Sequence, residues 1–213
     1  MEYIINLFIS MKNGMFVTFY IFIVTLIFSL ILGILVAVLR LSKIKMIEMV
    51  VSLYIFLMRG TPLLLQIIFV FFGLPIVGIT FDRYTAVFIA FILNYAAYFA
   101  EIFRAGIQSI DKGQFEAAKV LGLSRFDTYR YVIFPQMLKN ILPALANEVI
   151  TLVKDTALVY VVGISDILRE GKIAVNRDAT LIPFLVVAIF YAGFIYVLSN
   201  LFKNIEEKFE YYR

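Results

Sequence analysis

The chain has 213 residues, of which 63% are hydrophobic and 16% charged, against about 25% charged in typical soluble domains. A soluble domain of this size has no way to hide that much apolar surface from water, whereas a bilayer acts as solvent for the outer face of a helical bundle. A net charge of +4 is too small to point to nucleic acid, and the absence of Cys and His excludes disulfides and removes the commonest metal ligand and general base.

Positions 15–39 carry no charged residue, 25 in a row, and about 20 apolar residues suffice to cross the hydrocarbon core. Arg40, Lys43 and Lys45 follow. The run is longer than the apolar core of a signal peptide and its positive charges come after it, so a first span is expected. The second apolar region covers 49–81 and is interrupted by Arg59-Gly60-Thr61-Pro62. Pro removes a backbone donor and disfavours helix just before itself. A kink or short unwound stretch is expected at 59–62, which membranes tolerate only against protein or a water-filled cavity. The third span covers 84–104, after the short loop marked by Asp82 and Arg83.

The segment 105–139 is polar and mixed, the only long hydrophilic stretch in the chain. A fourth span is expected at 140–162, with Pro143 in its first turn, where Pro fits. It carries Glu148, Lys154 and Asp155, so its hydropathy is weak, and these groups are expected to face a bundle interior. Positions 163–178 read as a polar loop, and 179–202, 24 uncharged residues, as the last span. Tyr, with 13 copies and no Trp in the chain, is left to anchor the interfaces. The reading is one all-α transmembrane domain over 1–213 with about five spans.

Five spans put the two ends on opposite sides. With the N-terminus outside, twelve Lys and Arg residues fall in cytoplasmic segments and five outside, the remaining two (Arg59 and Lys154) lying within spans. The positive-inside rule therefore favours N-out, C-in and places 105–139 in the cytoplasm. Within 110–130 the spacing predicts a short helix over Glu116 to Leu121, ended by Gly122. Ser124 and Asp127 then fit a capping box for a following helix. Phe115, Ala118 and Leu121 recur at helical spacing, and Ala117 and Ala118 leave little side chain in a partner's way. Such a helix suits docking in a groove, lying on lipid headgroups, or packing on its own bundle.

Glu116-Ala117-Ala118, Gly122 and Val132-Ile133-Phe134-Pro135 resemble the E-A-A, G and I-x-L-P signature of ABC-importer permeases, with Val132 and Phe134 standing where that family has Ile and Leu. R-G-T-P-L-L-L-Q at 59–66, A-Y-F-A-E-I-F-R-A-G-I at 97–107 and K-D-T-A-L at 154–158 resemble stretches of its polar amino acid branch, which often has Ser at the position of Ala157. The resemblance implies a type I ABC importer permease fold in the bacterial cytoplasmic membrane. It also implies an ATPase subunit dimer carrying ATP and Mg, a second permease copy in a homodimer or a pseudo-symmetric pair of permeases, and an extracytoplasmic amino-acid-binding protein. In that family the loop is a coupling helix, which assigns ATPase coupling here to Phe115, Glu116, Ala117, Ala118, Leu121 and Gly122. The chain has no G-x-x-x-x-G-K-[ST], so by that motif it has no cradle for ATP phosphates, and no cofactor of its own is expected.

Ionisable residues inside spans are expensive and point to function. The candidates are Arg59, Glu101, Arg104, Glu148, Lys154 and Asp155. The first three lie near span ends and are expected to pair with each other or snorkel. Lys154 and Asp155 suit either an internal ion pair or a binding role. Glu148 and Asp155 are seven residues apart, so they share a helical face about 10 Å apart, with Thr151 between them. Asn94 and Tyr98, four apart in the third span, can line an opposite wall, and Gln66 adds a donor and acceptor. The expected site is a midmembrane pocket for a polar, cationic amino acid built from Gln66, Asn94, Tyr98, Glu148 and Asp155. The competing account makes these groups helix bridges worth about 0.6 kcal/mol each. No catalytic residue and no metal site are expected. Alternating access is the expected mechanism, with Gly60, Pro62 and Gly163 as hinge candidates. The rival functions are an ATPase-independent secondary transporter or channel, a membrane enzyme, and a scaffold.

Overall fold

A computed structural model describes residues 2–209. They form ten α-helices and no strand among the described residues: α1 (Glu2–Ser10), α2 (Lys12–Arg40), α3 (Lys45–Gly60), α4 (Leu63–Ile68), α5 (Arg83–Gln108), α6 (Lys112–Val120), α7 (Arg125–Asp127), α8 (Phe134–Asp155), α9 (Ile167–Asp178) and α10 (Ile182–Phe209). Three short segments prolong them. A π turn and a 3-10 turn carry α4 on to Val77, a π turn (Thr128–Ile133) joins α7 to α8, and a 3-10 turn (Thr156–Val162) follows α8.

Among the described residues three helices are long and apolar enough to cross a bilayer unaided: α2 with 29 residues, α5 with 26 and α10 with 28. Lys45–Gly60 and Leu63–Val77 reach that length and apolarity only as a pair, and they meet at 104°. The expected interruption at 59–62 is therefore a sharp reversal of direction. Thr61 and Pro62 are both extended, at φ −121°, ψ 145° and φ −61°, ψ 136°, as the ring of Pro62 requires of itself and its predecessor. The polar side chains of α8 keep it below the apolarity of the other three.

Side-chain contacts fix the directions of the long helices. Tyr20 meets Tyr84 and Phe88 while Gly33 lies on Ala96 and Phe99, so α5 runs parallel to α2. Gly106 lies under Ile141 and Met137 while Tyr95 reaches Asp155, so α8 runs back along α5. The start of α10 meets the start of α2 around Gly171, and Phe194 meets Phe19 and Phe22, so α10 is parallel to α2. Arg40, Gln108 and Phe134 consequently share one end of the bundle, the end that carries α6 and α7.

The largest departures from the sequence reading concern α8 and α9. The fourth helix begins at Phe134, six residues before the expected 140, with Pro135 in its first turn and Pro143 inside it. A membrane helix accommodates an interior Pro because neighbours re-satisfy the freed groups. Positions 163–178 are not simply a loop, because α9 occupies most of them. Its N-cap, Asp166, accepts from the N–H groups of Leu168 and Arg169, and burial pushes its carboxyl up to about 6. At the other end of α9, Asp178 accepts from Arg177 and from the Tyr3 hydroxyl, tying α1 to α9, and these two partners, Arg177 foremost, hold its carboxyl down at about 2.

The tightest seam is between α2 and α5. Buried Gly14, Thr18, Thr25, Ser29, Gly33 and Ala37 give α2 a face of small residues, of which Gly14 and Thr18 meet the start of α9 and Gly33 meets α5, and α5 brings Ala90, Ala96, Ala97 and Ala100, all buried. Small residues let backbones approach where lipid gives helices no hydrophobic reason to associate. A Cβ on Gly33 would lie 2.8 Å from the Cβ of Phe99 and 3.2 Å from the carbonyl of Ala96. Gly33→Ala is therefore expected to destabilise the protein by about 1–3 kcal/mol, read as a lower melting temperature by circular dichroism in detergent. Gly193→Ala, where an added Cβ meets nothing within 4 Å, is expected to leave the melting temperature unchanged or raised.

Candidate functional site

The break between α3 and α4 frees backbone carbonyls at membrane depth. Two side-chain amides take them. The Gln66 amide donates to the carbonyl of Met58 at 3.0 Å and to the carbonyl and hydroxyl of Thr61 at 3.2 and 2.8 Å. The Asn94 amide donates to Met58 O at 2.8 Å and to the Gln66 side-chain oxygen at 3.1 Å. These bonds hold Arg59, Gly60, Thr61 and Pro62 as one wall of a cavity of about 430 Å³. Asn94, Tyr95 and Tyr98 of α5 and Glu148, Thr151 and Asp155 of α8 form the other walls.

Four of the five expected substrate residues, Asn94, Tyr98, Glu148 and Asp155, thus line one cavity. Gln66 does not. It sits behind the wall with its amide spent on the break. Asp155 accepts from the hydroxyl of Tyr95 at 2.7 Å, and Lys154 is exposed and takes no part in an ion pair with it among the described residues. Tyr95, 1% exposed, is the site residue the sequence reading missed. It lies one position from Asn94 on a face of α5 that the spacing of 94 and 98 does not mark, and the available signal was a hydroxyl within a span in need of a partner.

Glu148 makes no hydrogen bond or ion pair among the described residues and stays half-buried. Arg59 stands across from it, its guanidinium 5.1 Å from the centroid of Tyr98 and 3.7 Å from Glu101. Glu101 is held more closely by a two-point bond from Arg104, at 2.9 and 2.8 Å. Arg59, Glu101 and Arg104 therefore pair with each other, as their positions near span ends suggested. A second cavity, of about 610 Å³, shares Arg59, Tyr98 and Glu148 with the first and continues along the α5–α8 seam to Ser109 and Asn140. The two cavities together run from Asp155 towards the end that carries α6, between polar and apolar side chains.

At that end α6 is capped by Asp111, which accepts from the N–H of Gly113. It stops as expected at Gly122, which takes φ +73°. The N–H of Leu123 donates to Ala118 O and that of Gly122 to Lys119 O, a Schellman ending that requires a left-handed residue. Ser124 then caps α7 through the N–H of Asp127. The face expected for docking is divided. Ala118 is 2% exposed, and Phe115 packs on Ile110, Ile133, Met137 and Ile141 and meets Tyr129 edge-on, so both face the chain's own bundle. Glu116, Ala117, Leu121 and Gly122 are exposed. The apolar side chains that reach outward are Val120, Leu121 and Phe126, at 87, 77 and 69% exposure.

The family model described as binding-protein-dependent transport system inner membrane component matches residues 29–211. The chain is 37% identical over 198 residues to the putative glutamine transport system permease protein GlnP of Rickettsia conorii, covering 92% of this chain and 91% of that protein. It is 38% identical to the arginine transport system permease protein ArtQ of Bacillus subtilis, covering 92% and 90%. Among solved structures it is similar to a chain of an amino acid ABC transporter with histidines, with 37% identity, a TM-score of 0.85, and 93% of this chain and 94% of that chain covered. A chain of the inward-facing MetNI methionine ABC transporter has the same fold, with a TM-score of 0.76 at 20% identity and 94% and 96% covered.

The division of labour between Gln66 and the cavity residues is measurable. Gln66→Met keeps the side chain's bulk and removes its donors, so it is expected to lower the melting temperature by the equivalent of about 1 kcal/mol. The further rise in melting temperature on adding substrate amino acid is expected to persist. Loss of that substrate-dependent rise at unchanged basal stability would place Gln66 in contact with substrate instead.

Proposed function

We infer the function from the premise that this chain belongs to the family of binding-protein-dependent transport system inner membrane components. It is an amino-acid ABC transporter permease subunit and a multi-pass membrane protein. Beyond that, we propose import of a cationic amino acid of the arginine, lysine or histidine type. In this reading two permease copies, with the same chain as the second, work with a dimer of ATPase subunits that carries ATP and Mg. An extracytoplasmic binding protein delivers the amino acid. The chain itself hydrolyses nothing, and it sits in the bacterial cytoplasmic membrane with its N-terminus outside.

The observation that carries the specificity is the charge arrangement of the cavity. Arg59 stands on one wall, and Glu148 and Asp155 lie on the facing helix. An arginine or lysine zwitterion has one carboxylate and two cationic groups, the mirror of that arrangement. The carboxylate would meet Arg59, and the ammonium and the side-chain cation would meet the two acids. An acidic amino acid would bring a second anion towards Glu148 and Asp155 and be disfavoured. The resemblance to an arginine permease agrees with this reading. The resemblance to glutamine permeases supplies the competing substrate, a neutral amide for which the second carboxylate would have no partner.

Transport by alternating access asks that the two orientations of the cavity bind ATP-loaded partners differently, since a ligand shifts an equilibrium only by its differential affinity. The exposed Val120, Leu121 and Phe126 group, with Glu116, Ala117 and Gly122 beside it, is the proposed seat on the ATPase. Helix-in-groove docking uses apolar anchors of this kind.

In liposomes carrying permease and ATPase, Glu148→Gln is expected to reduce arginine uptake at least about tenfold, the equivalent of about 1.4 kcal/mol, with assembly intact. Unchanged arginine uptake at normal protein levels would remove Glu148 from the site, and preferential loss of glutamine uptake would favour the neutral substrate. Leu121→Asp is expected to abolish co-purification of the ATPase while substrate still raises the melting temperature of the permease. Uptake that survives ATP depletion and collapses with an ionophore would replace the whole reading by a secondary transporter.

A further inference from the structure

A third cavity shares no lining residue with the two polar ones. It holds about 350 Å³ between α2, α5 and the start of α8, at the end of the bundle that carries α6. Its walls are apolar, with Ile34, Val38, Ile107 and Met137 among them, and Arg130 is the one charged residue that lines it. The guanidinium of Arg130 lies 6.0 Å from the ring centroid of Phe126 and 5.3 Å from that of Tyr131. No carboxylate pairs with it among the described residues. The cavity is thus an apolar slot walled in part by the stem of Arg130, whose guanidinium is held by aromatic rings and pairs with no carboxylate among the described residues.

The depth of the slot follows from α2. Arg40 ends that helix, and Ile34 lies six residues before it, about 9 Å along the axis. Ile34 and Val38 are 51 and 61% exposed, so the slot opens sideways as well as towards the helix end. With Arg40, the charged end of this long span, at a membrane surface, the slot would reach from that surface about 9 Å into the hydrocarbon. Lys43, Lys45 and Arg125 lie in the segments that leave this end, while Arg40 is already paired with Glu48 at 2.9 Å.

We propose that this slot is a binding site for an anionic phospholipid of the surrounding membrane, one acyl chain lying along Ile34, Val38, Ile107 and Met137 and the phosphate on Arg130. An apolar chain fits walls of this composition, and its volume is in the range of small-molecule sites, about 300–1,000 Å³. Basic pockets between transmembrane helices near the membrane surface hold anionic headgroups in this way. A zwitterionic lipid supplies the same chain but no net charge for Arg130. The occupant would brace the segment from Phe126 to Ile133 against α2 and α5.

The test uses the permease with its ATPase partner in nanodiscs of phosphatidylcholine, with and without phosphatidylglycerol, and counts retained lipid by native mass spectrometry. Wild type is expected to retain phosphatidylglycerol over phosphatidylcholine. Arg130→Gln is expected to lower the retained phosphatidylglycerol about fivefold. Val38→Trp, which fills the slot from α2 without touching charge, is expected to lower it as well, so a folding defect in one variant leaves the other decisive. Equal retention of both lipids, or retention indifferent to both variants, would overturn the proposal. So would stabilisation of lipid-free protein by inorganic phosphate to the same extent, or a partner chain cross-linking into the slot in place of lipid.

Discussion

In hydrocarbon every backbone N–H and C=O needs a partner from within the protein, and a span that stops part-way leaves carbonyls without one unless side chains supply it. This chain stops a span at Gly60 and turns it through 104°. The carbonyls of Met58 and Thr61 would be orphaned there, and the amides of Gln66 and Asn94 take them. The cavity exists because this repair is possible. The turn brings Arg59 to the last turn of α3, where a cation complements the helix dipole, and it leaves Thr61, Pro62 and Leu63 as a wall facing α5 and α8.

The ionisable groups around that wall differ in how far they are spoken for. Arg104 binds Glu101 at two points, and Asp155 has the Tyr95 hydroxyl. Arg59 has a long contact to Glu101 and the face of Tyr98. Glu148 has no partner among the described residues. A half-buried carboxylate in that position costs free energy unless a cation from outside satisfies it. The groups with structural partners keep the frame, and the two with weak or no partners, Arg59 and Glu148, face each other across open volume. That division fits a site that waits for a charged ligand better than a set of helix bridges.

Much of this was legible from sequence. The uncharged runs gave α2 and α10 because lipid permits nothing else there, and R-G-T-P marked the break. The left-handed turn at Gly122 and the Ser124 cap follow from residue type. What sequence did not show is which neighbour a face meets. Gln66 lies close to the cavity residues in the fold, but its amide was claimed by carbonyls that only the bend exposes. Phe115 and Ala118 have the spacing of a docking face, yet α8 and the π turn lie on their side of α6. Pro143 suits a first turn and so points to a helix start near 140, but Pro135 occupies that turn of α8. α9 leaves little trace in the sequence because its apolar face is short and its polar residues dominate.

The two helices that line the polar cavity also carry the α6 segment, and little slack separates them. α5 leads through Ser109 and Ile110 into α6, and Ser109 accepts from the Asn140 amide of α8. Gln136 of α8 reaches back to Gln114 of α6 at 3.1 Å. Between these ties Gly106 lies so close under Ile141 and Met137 that a single Cβ would collide with both. Interiors packed to this density shift between discrete arrangements and do not deform gradually. A force applied to the exposed Val120, Leu121 and Phe126 group therefore moves the ends of α5 and α8 together. The same rigidity places Tyr98, about three turns from the end of α5, and Glu148, about four turns from the start of α8, at the far arm of the lever, where the cavity is.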